Sequence, residues 1–162
     1  MVNILFVCTG NVFRSMIAEH CFKDYIKKNK IKYYNVDSCG IAVEKQKSRK
    51  EVIARLTEHG IKVRHHYKEI DLKQVNWADV IIAMSKNHRK YIKDNFGVKT
   101  YLFNELAIGK KTSVLDFGEF NPKISFKEKK MQTDIRLYAY YMVDYIYSKT
   151  PKLFKAINKL EN

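Results

Sequence analysis

Cys8, Gly10, Asn11, Arg14 and Ser15 fall within eight consecutive residues, and together they could bind and attack a tetrahedral oxyanion. A loop that ends at a helix N-terminus offers unpaired backbone amides to an anion, and the helix dipole adds to the attraction. Gly10 and Asn11 are the residue types best able to take the left-handed backbone that turns successive N–H groups toward one point. Arg14 offers a planar fork able to grip two oxygens of a dianion. At the floor of such a cradle Cys8 is expected to be a thiolate, the nucleophile of a phosphoryl transfer. Ser15 can hydrogen-bond that sulfur, stabilising its charge and its departure as a leaving group. The plainer reading is a cysteine buried at a strand end with an exposed arginine beginning a helix.

A cradle of this kind needs a strand before it and a helix after it. Ile4 to Val7 is an apolar run that stops at Cys8, and from Ser15 to about Lys28 the residues Ile17, Ala18, Cys21, Phe22, Tyr25 and Ile26 recur at roughly helical spacing. A second strand is expected from about Tyr34 to Ser38, then a helix from Ser48 to His59 with Val52, Ile53 and Leu56 inward, stopped by Gly60. Asp79 to Met84 reads as a third strand with an apolar centre suited to a sheet covered on both faces. A helix ended by Gly97 follows, and Val98 to Phe103 reads as the fourth strand. Trp77 is read as a core residue. The pattern predicts an α/β fold: a single-domain, four-stranded parallel sheet with helices on both faces and a phosphate-binding loop between the first strand and first helix. The loop then lies at the carboxyl ends of the strands, where such sheets bind ligands.

Cys8-x5-Arg14-Ser15 with Gly10 and Asn11, directly after the N-terminal strand, resembles the signature loop of the low-molecular-weight protein tyrosine phosphatases. The resemblance implies a phosphoric monoester hydrolase whose phosphate-binding residues are Thr9, Gly10, Asn11, Val12, Phe13 and Arg14. It places Glu19 beneath the loop, where a plainer reading makes it a first-turn acid complementing the helix dipole. It also places Ser38 in support of the Asn11 conformation and makes His65, not His66, the matching histidine. Several family features are absent: Glu44 stands on the cleft rim where an aromatic is usual, Phe13 replaces a second cysteine, and Met16 replaces a proline.

Cleaving a phosphate ester requires a proton for the leaving oxygen, worth about 10²- to 10⁴-fold. The family supplies it from an Asp-Pro loop after the fourth strand. The matching residue here is Asp116, with Phe117 in place of the proline and Glu119 as a rival acid. Proline pre-sets the backbone and restrains its predecessor, so this loop should be freer. Residues from about 117 to 131 read as a divergent, basic insertion in the acid loop of one domain spanning 1–162. A helix is expected from about Gln132 to Ser148, with Ile135, Tyr138, Ala139, Met142 and Ile146 on one face. Pro151 is expected to break it before a short helix from Leu153 to Leu160.

The function that follows is hydrolysis of phosphotyrosine through a cysteinyl-phosphate intermediate, with catalytic Cys8, Arg14 and Asp116 and with no metal or cofactor required. Phosphoarginine hydrolysis and phosphoprotein binding with little turnover are the alternatives. Arsenate reductases of this fold need two late cysteines, and this chain has none after Cys39. Three cysteines without paired spacing argue against a disulfide framework or zinc site. With no basic leader before the first strand and no span-length apolar run, the expected location is the cytoplasm. The formal net charge of +14 could serve an acidic partner beside the phosphorylated protein substrate. The Lys residues are scattered, so nucleic-acid binding is not inferred.

Overall fold

The structure, a computed structural model, describes residues 1–44, 49–115, 127, 129–130 and 134–161. β1 (Val2–Cys8) and β2 (Tyr34–Gly40) lead the chain with α1 (Arg14–Lys28) between them. α2 (Lys50–Glu58), α3 (Leu72–Trp77), β3 (Val80–Ala83) and α4 (Lys86–Phe96) follow. β4 (Tyr101–Leu102), α5 (Phe103–Ile108) and α6 (Ile135–Leu160) complete the described elements. The sheet order is β2-β1-β3-β4 and every pairing is parallel, the architecture that strand–helix alternation predicts.

Alternation along β1 divides the core in two. Ile4, Phe6 and Cys8 point to one side, where they pack with α1, α2, α5 and α6 residues such as Ile17, Leu56, Phe103 and Met142. Leu5 and Val7 point to the other, against Val75 of α3 and Ile92 of α4. Within α2, Val52 and Leu56 are buried and Ile53 is half-buried. Trp77 packs half-buried on the second cluster, and its carbonyl accepts from Asn3 Nδ2.

Two expectations are corrected and one helix is added. α6 runs through Pro151 without a break. A proline inside a helix costs about 3 kcal/mol, but the turns beyond it bury Leu153 and Ile157 completely or nearly so, each worth about 1.5–3 kcal/mol. Phe154 also seats its ring among Phe22, Tyr25 and Tyr34. Core burial therefore outweighs the lost hydrogen bond. The fourth strand shrinks to two residues because Phe103 turns into α5, where its ring is buried and Glu105 Oε2 accepts from the Leu102 amide. α3 was not expected, although its start has a legible signal: Asp71 and Gln74 form a reciprocal capping box.

α2 is tied to α6 by charge as well as by packing. Asp144 accepts from Arg55 Nε at 2.9 Å and Nη2 at 2.8 Å, and lies 2.7 Å from His59 Nε2. The Arg55 fork holds the Asp144 carboxyl below its usual range, against partial desolvation and with help from His59. A carboxylate depressed in the folded state stabilises above its unfolded pKa of about 3.9 and loses that contribution as pH falls through the folded value. Asp144→Asn should therefore lower the thermal midpoint modestly at neutral pH. Unfolding scans should show the gap from the parent closing below about pH 4.

Candidate active site

The loop from Thr9 to Phe13 leaves the buried end of β1 and enters α1, whose first residue is Arg14 and whose start carries no side-chain cap. Among the described residues the amides of Thr9 through Phe13 donate to no protein acceptor. Those donors, set at a helix N-terminus, suit the loop to receive an anion. Arg14 is buried, and its Nη1 donates to the Val114 carbonyl at 2.9 Å. The Cys8 sulfur lies 2.9 Å from Ser15 Oγ.

Asn11 is the residue that takes the left-handed backbone, with φ of 56°. Gly10 does not adopt positive φ, and a Cβ there would meet Val12 at an ordinary 3.7 Å, so the expectation of a left-handed Gly10 is overturned. Asn11 can stand alone because its carbonyl and its side-chain amide are both engaged. Its carbonyl accepts from His65 Nε2 at 2.5 Å and its Oδ1 from the Lys68 amide at 3.0 Å. Its Nδ2 donates to Ser38 Oγ at 2.7 Å and Ser15 Oγ at 3.0 Å.

These bonds have a direction. Ser38 donates its hydroxyl proton to Glu19 Oε2 at 2.6 Å and so receives Asn11 as an acceptor. Ser15 likewise accepts from Asn11, which leaves its own proton for the Cys8 sulfur; the alternative acceptor, the Cys39 carbonyl, is farther away at 3.4 Å. Glu19 thus reaches Cys8 through Ser38, Asn11 and Ser15. Because α1 begins at Arg14, Glu19 lies beyond the first turn, and its partners are Ser38 and Lys23. His65 is held with its pKa lowered, by burial first, against the opposing pull of the Asn11 carbonyl and Glu19. His66 is exposed.

Two contributors escaped the sequence reading. His88 lies under the loop, its Nε2 2.9 Å from Thr9 Oγ1 and its Nδ1 3.0 Å from Ser85 Oγ. Burial, with the Arg14 charge adding to it, pushes His88 down to about 3, so it stays neutral. Ser85 as the α4 N-cap was legible, but nothing in the sequence joins His88 to Thr9. Gly40 is the second. A Cβ there would stand 2.3 Å from the Thr9 carbonyl and 3.0 Å from the Asn11 amide, so only glycine lets β2 end against the loop.

Val12 and Phe13 are buried, and the Phe13 ring lies 6.1 Å from that of Tyr138. Glu44 is exposed on the segment that the Ala42 amide ties to the Thr9 carbonyl. Asp116, Glu119 and most of the 117–131 stretch lie outside the described residues. The chain leading to Asp116 is held in place: the Val114 amide donates to the Met84 carbonyl, the Val114 carbonyl accepts from Arg14, and the Leu115 carbonyl accepts from Tyr138. Cys21 and Cys39 are free thiols pushed up chiefly by burial. Cys39 packs on the sheet face opposite Cys8.

A cysteine and an arginine bracketing an amide-lined loop, at the carboxyl end of a parallel sheet, define a thiol-based anion site of the phosphatase type. The family description "Low molecular weight phosphotyrosine protein phosphatase" matches residues 3–111. A protein-arginine-phosphatase of Bacillus subtilis (strain 168) is 32% identical over 122 residues, 72% of this chain and 81% of the relative. The low molecular weight protein-tyrosine-phosphatase PtpB of Staphylococcus aureus is 34% identical over 106 residues, 63% and 70% of the two chains. The crystal structure of a YwlE mutant from Bacillus subtilis superposes with a TM-score of 0.80 at 26% identity, covering 98% of this chain and 99% of that one. This chain belongs to the low molecular weight phosphotyrosine protein phosphatase family.

Gly40→Ala should cost about 1–3 kcal/mol through overpacking and displace Thr9 and Asn11. Calorimetry should show weaker binding of orthovanadate, a phosphate analogue, even in protein that remains folded at the assay temperature.

Proposed function

We propose that this protein hydrolyses phosphotyrosine in protein substrates by two displacements at Cys8. The observation that carries the reading is the Cys8 sulfur, hydrogen-bonded to Ser15, directly before five consecutive amides with no protein acceptor among the described residues. The thiolate attacks phosphorus, forming an S–P bond as the P–O bond to the phenol breaks. Asp116, as a carboxylic acid, gives its proton to the departing oxygen. Water then attacks the cysteinyl phosphate and yields its proton to the Asp116 carboxylate, and the sulfur leaves as a thiolate stabilised by Ser15.

Arg14 and the loop amides carry the charge of the equatorial oxygens through both steps. That electrostatic work is what a metal would otherwise supply, so none is required. Support for Asp116 comes from its predecessors, since the Val114 carbonyl is bonded to Arg14 itself. Val12, apolar and within the loop, suits the flat ring of a phenol. Phosphoarginine is the second reading, favoured by the similarity to the Bacillus subtilis protein-arginine-phosphatase; there the departing atom is a guanidinium nitrogen, and Asp116 protonates it in the same way.

Para-nitrophenyl phosphate should be hydrolysed in the presence of a metal chelator, and Cys8→Ser should abolish turnover. Asp116→Asn should lower kcat for phosphotyrosine peptide about 10²- to 10⁴-fold, with a smaller loss for para-nitrophenyl phosphate, whose leaving group needs less help. Paired kcat/KM values on matched phosphotyrosine and phosphoarginine peptides decide the substrate, and a preference for the phosphoarginine peptide, whose P–N bond is cleaved, would replace the first reading with the second.

A further inference from the structure

Beneath the phosphate loop, two imidazoles and a carboxylate meet. Glu19, His20 and His65 each offer one ligand atom, and the three atoms lie within 4.8 Å of one another. Glu19 and His20 are about 5% exposed, and the His65 side chain is buried to the same degree. His20 Nδ1 lies 2.9 Å from the Met16 carbonyl, and His65 Nε2 lies 2.5 Å from the Asn11 carbonyl. A carbonyl can only accept, so each neutral ring carries its proton on that nitrogen. The lone pairs are then left on His20 Nε2 and His65 Nδ1, the latter 3.6 Å from Glu19 Oε2.

Imidazoles whose far N–H is fixed on a backbone carbonyl are pre-set in tautomer and orientation for a metal. Two such nitrogens and one carboxylate are a zinc ligand set with a fourth position left for water. His20 also has no part in the path from Glu19 to Cys8, so that path does not account for it. From this arrangement we propose that Glu19, His20 and His65 form a site for a divalent transition ion of the zinc class, separate from the amide-lined face of the loop.

A tetrahedral ion holds ligands at about 2.0–2.2 Å, so binding draws the three atoms closer than they now stand. Lys23, which bonds Glu19 Oε1 at 2.5 Å, is half exposed and can turn to solvent as the ion arrives. Ser38 can keep its bond to Oε2 and orient the carboxylate, as second-shell partners do. His65 remains on the Asn11 carbonyl, so the ion would brace the loop from behind.

The test uses Cys8→Ser protein, which removes the one thiol of the cleft as a competing ligand. Cobalt(II) titration should show one equivalent bound with the absorption of a tetrahedral site. X-ray absorption of the zinc-loaded protein should show two imidazoles, an oxygen ligand and no sulfur. Adding His20→Gln, which preserves polarity and much of the volume, should weaken zinc binding by at least about tenfold, a loss that outer-shell changes alone can reach. Absence of stoichiometric binding, sulfur in the coordination shell, or an affinity indifferent to His20→Gln would each overturn the site. If the double variant does not fold, the absorption spectrum of Cys8→Ser protein decides the matter alone. None of these readouts depends on turnover.

Discussion

The left-handed backbone of Asn11 is the constraint on which the cradle depends. Holding a residue with a Cβ in that conformation costs about 1–2 kcal/mol, and it persists because four hydrogen bonds converge on this one residue. Each buried bond contributes about 1 kcal/mol net, so the sum exceeds the strain. The partners come from three places in the chain: His65 and Lys68 from the segment before α3, Ser38 from β2 and Ser15 from α1. Loss of any one would relax the turn that holds the successive amides of the loop.

That convergence depends on strand register. β1 and β2 pair so that Cys8 stands opposite Gly40 and Phe6 opposite Ser38. Ser38 therefore faces the α1 side, within reach of Glu19 and Asn11, while Gly40 lets the loop pass close by. A slip of one residue would turn Ser38 to the other face and set a side chain against Thr9. The pattern of β2 opposes this slip, because it would take Val36 out of the α1-side core and put the half-buried Asp37 in its place.

The two faces of the sheet then serve the site differently. The α1 side carries the path from Glu19 to Cys8. The α4 side contributes His88, kept neutral beneath Thr9 by burial. Later segments of the chain contribute as well, since Tyr138 of α6 and Met84 after β3 hold residues 114 and 115, which precede Asp116 in sequence.

Local signals were enough for the loop and its flanking elements. A cysteine at a strand end, an arginine opening a helix and an asparagine between them have intrinsic preferences that act over a few residues, and the parallel sense of the sheet followed from alternation. Other features were decided by tertiary structure. Pro151 reads as a helix breaker until the packing of Leu153, Phe154 and Ile157 is known. The need for glycine at Gly40 shows only when the Thr9 carbonyl is seen against it. His88 and Thr9 are 79 residues apart, and only the stacking of α4 under the loop joins them. The sequence by itself determined which groups could do the chemistry, because identity and local spacing are written in the chain. Their working geometry was left to the fold, because hydrogen bonds between distant segments depend on register and burial that no short stretch contains.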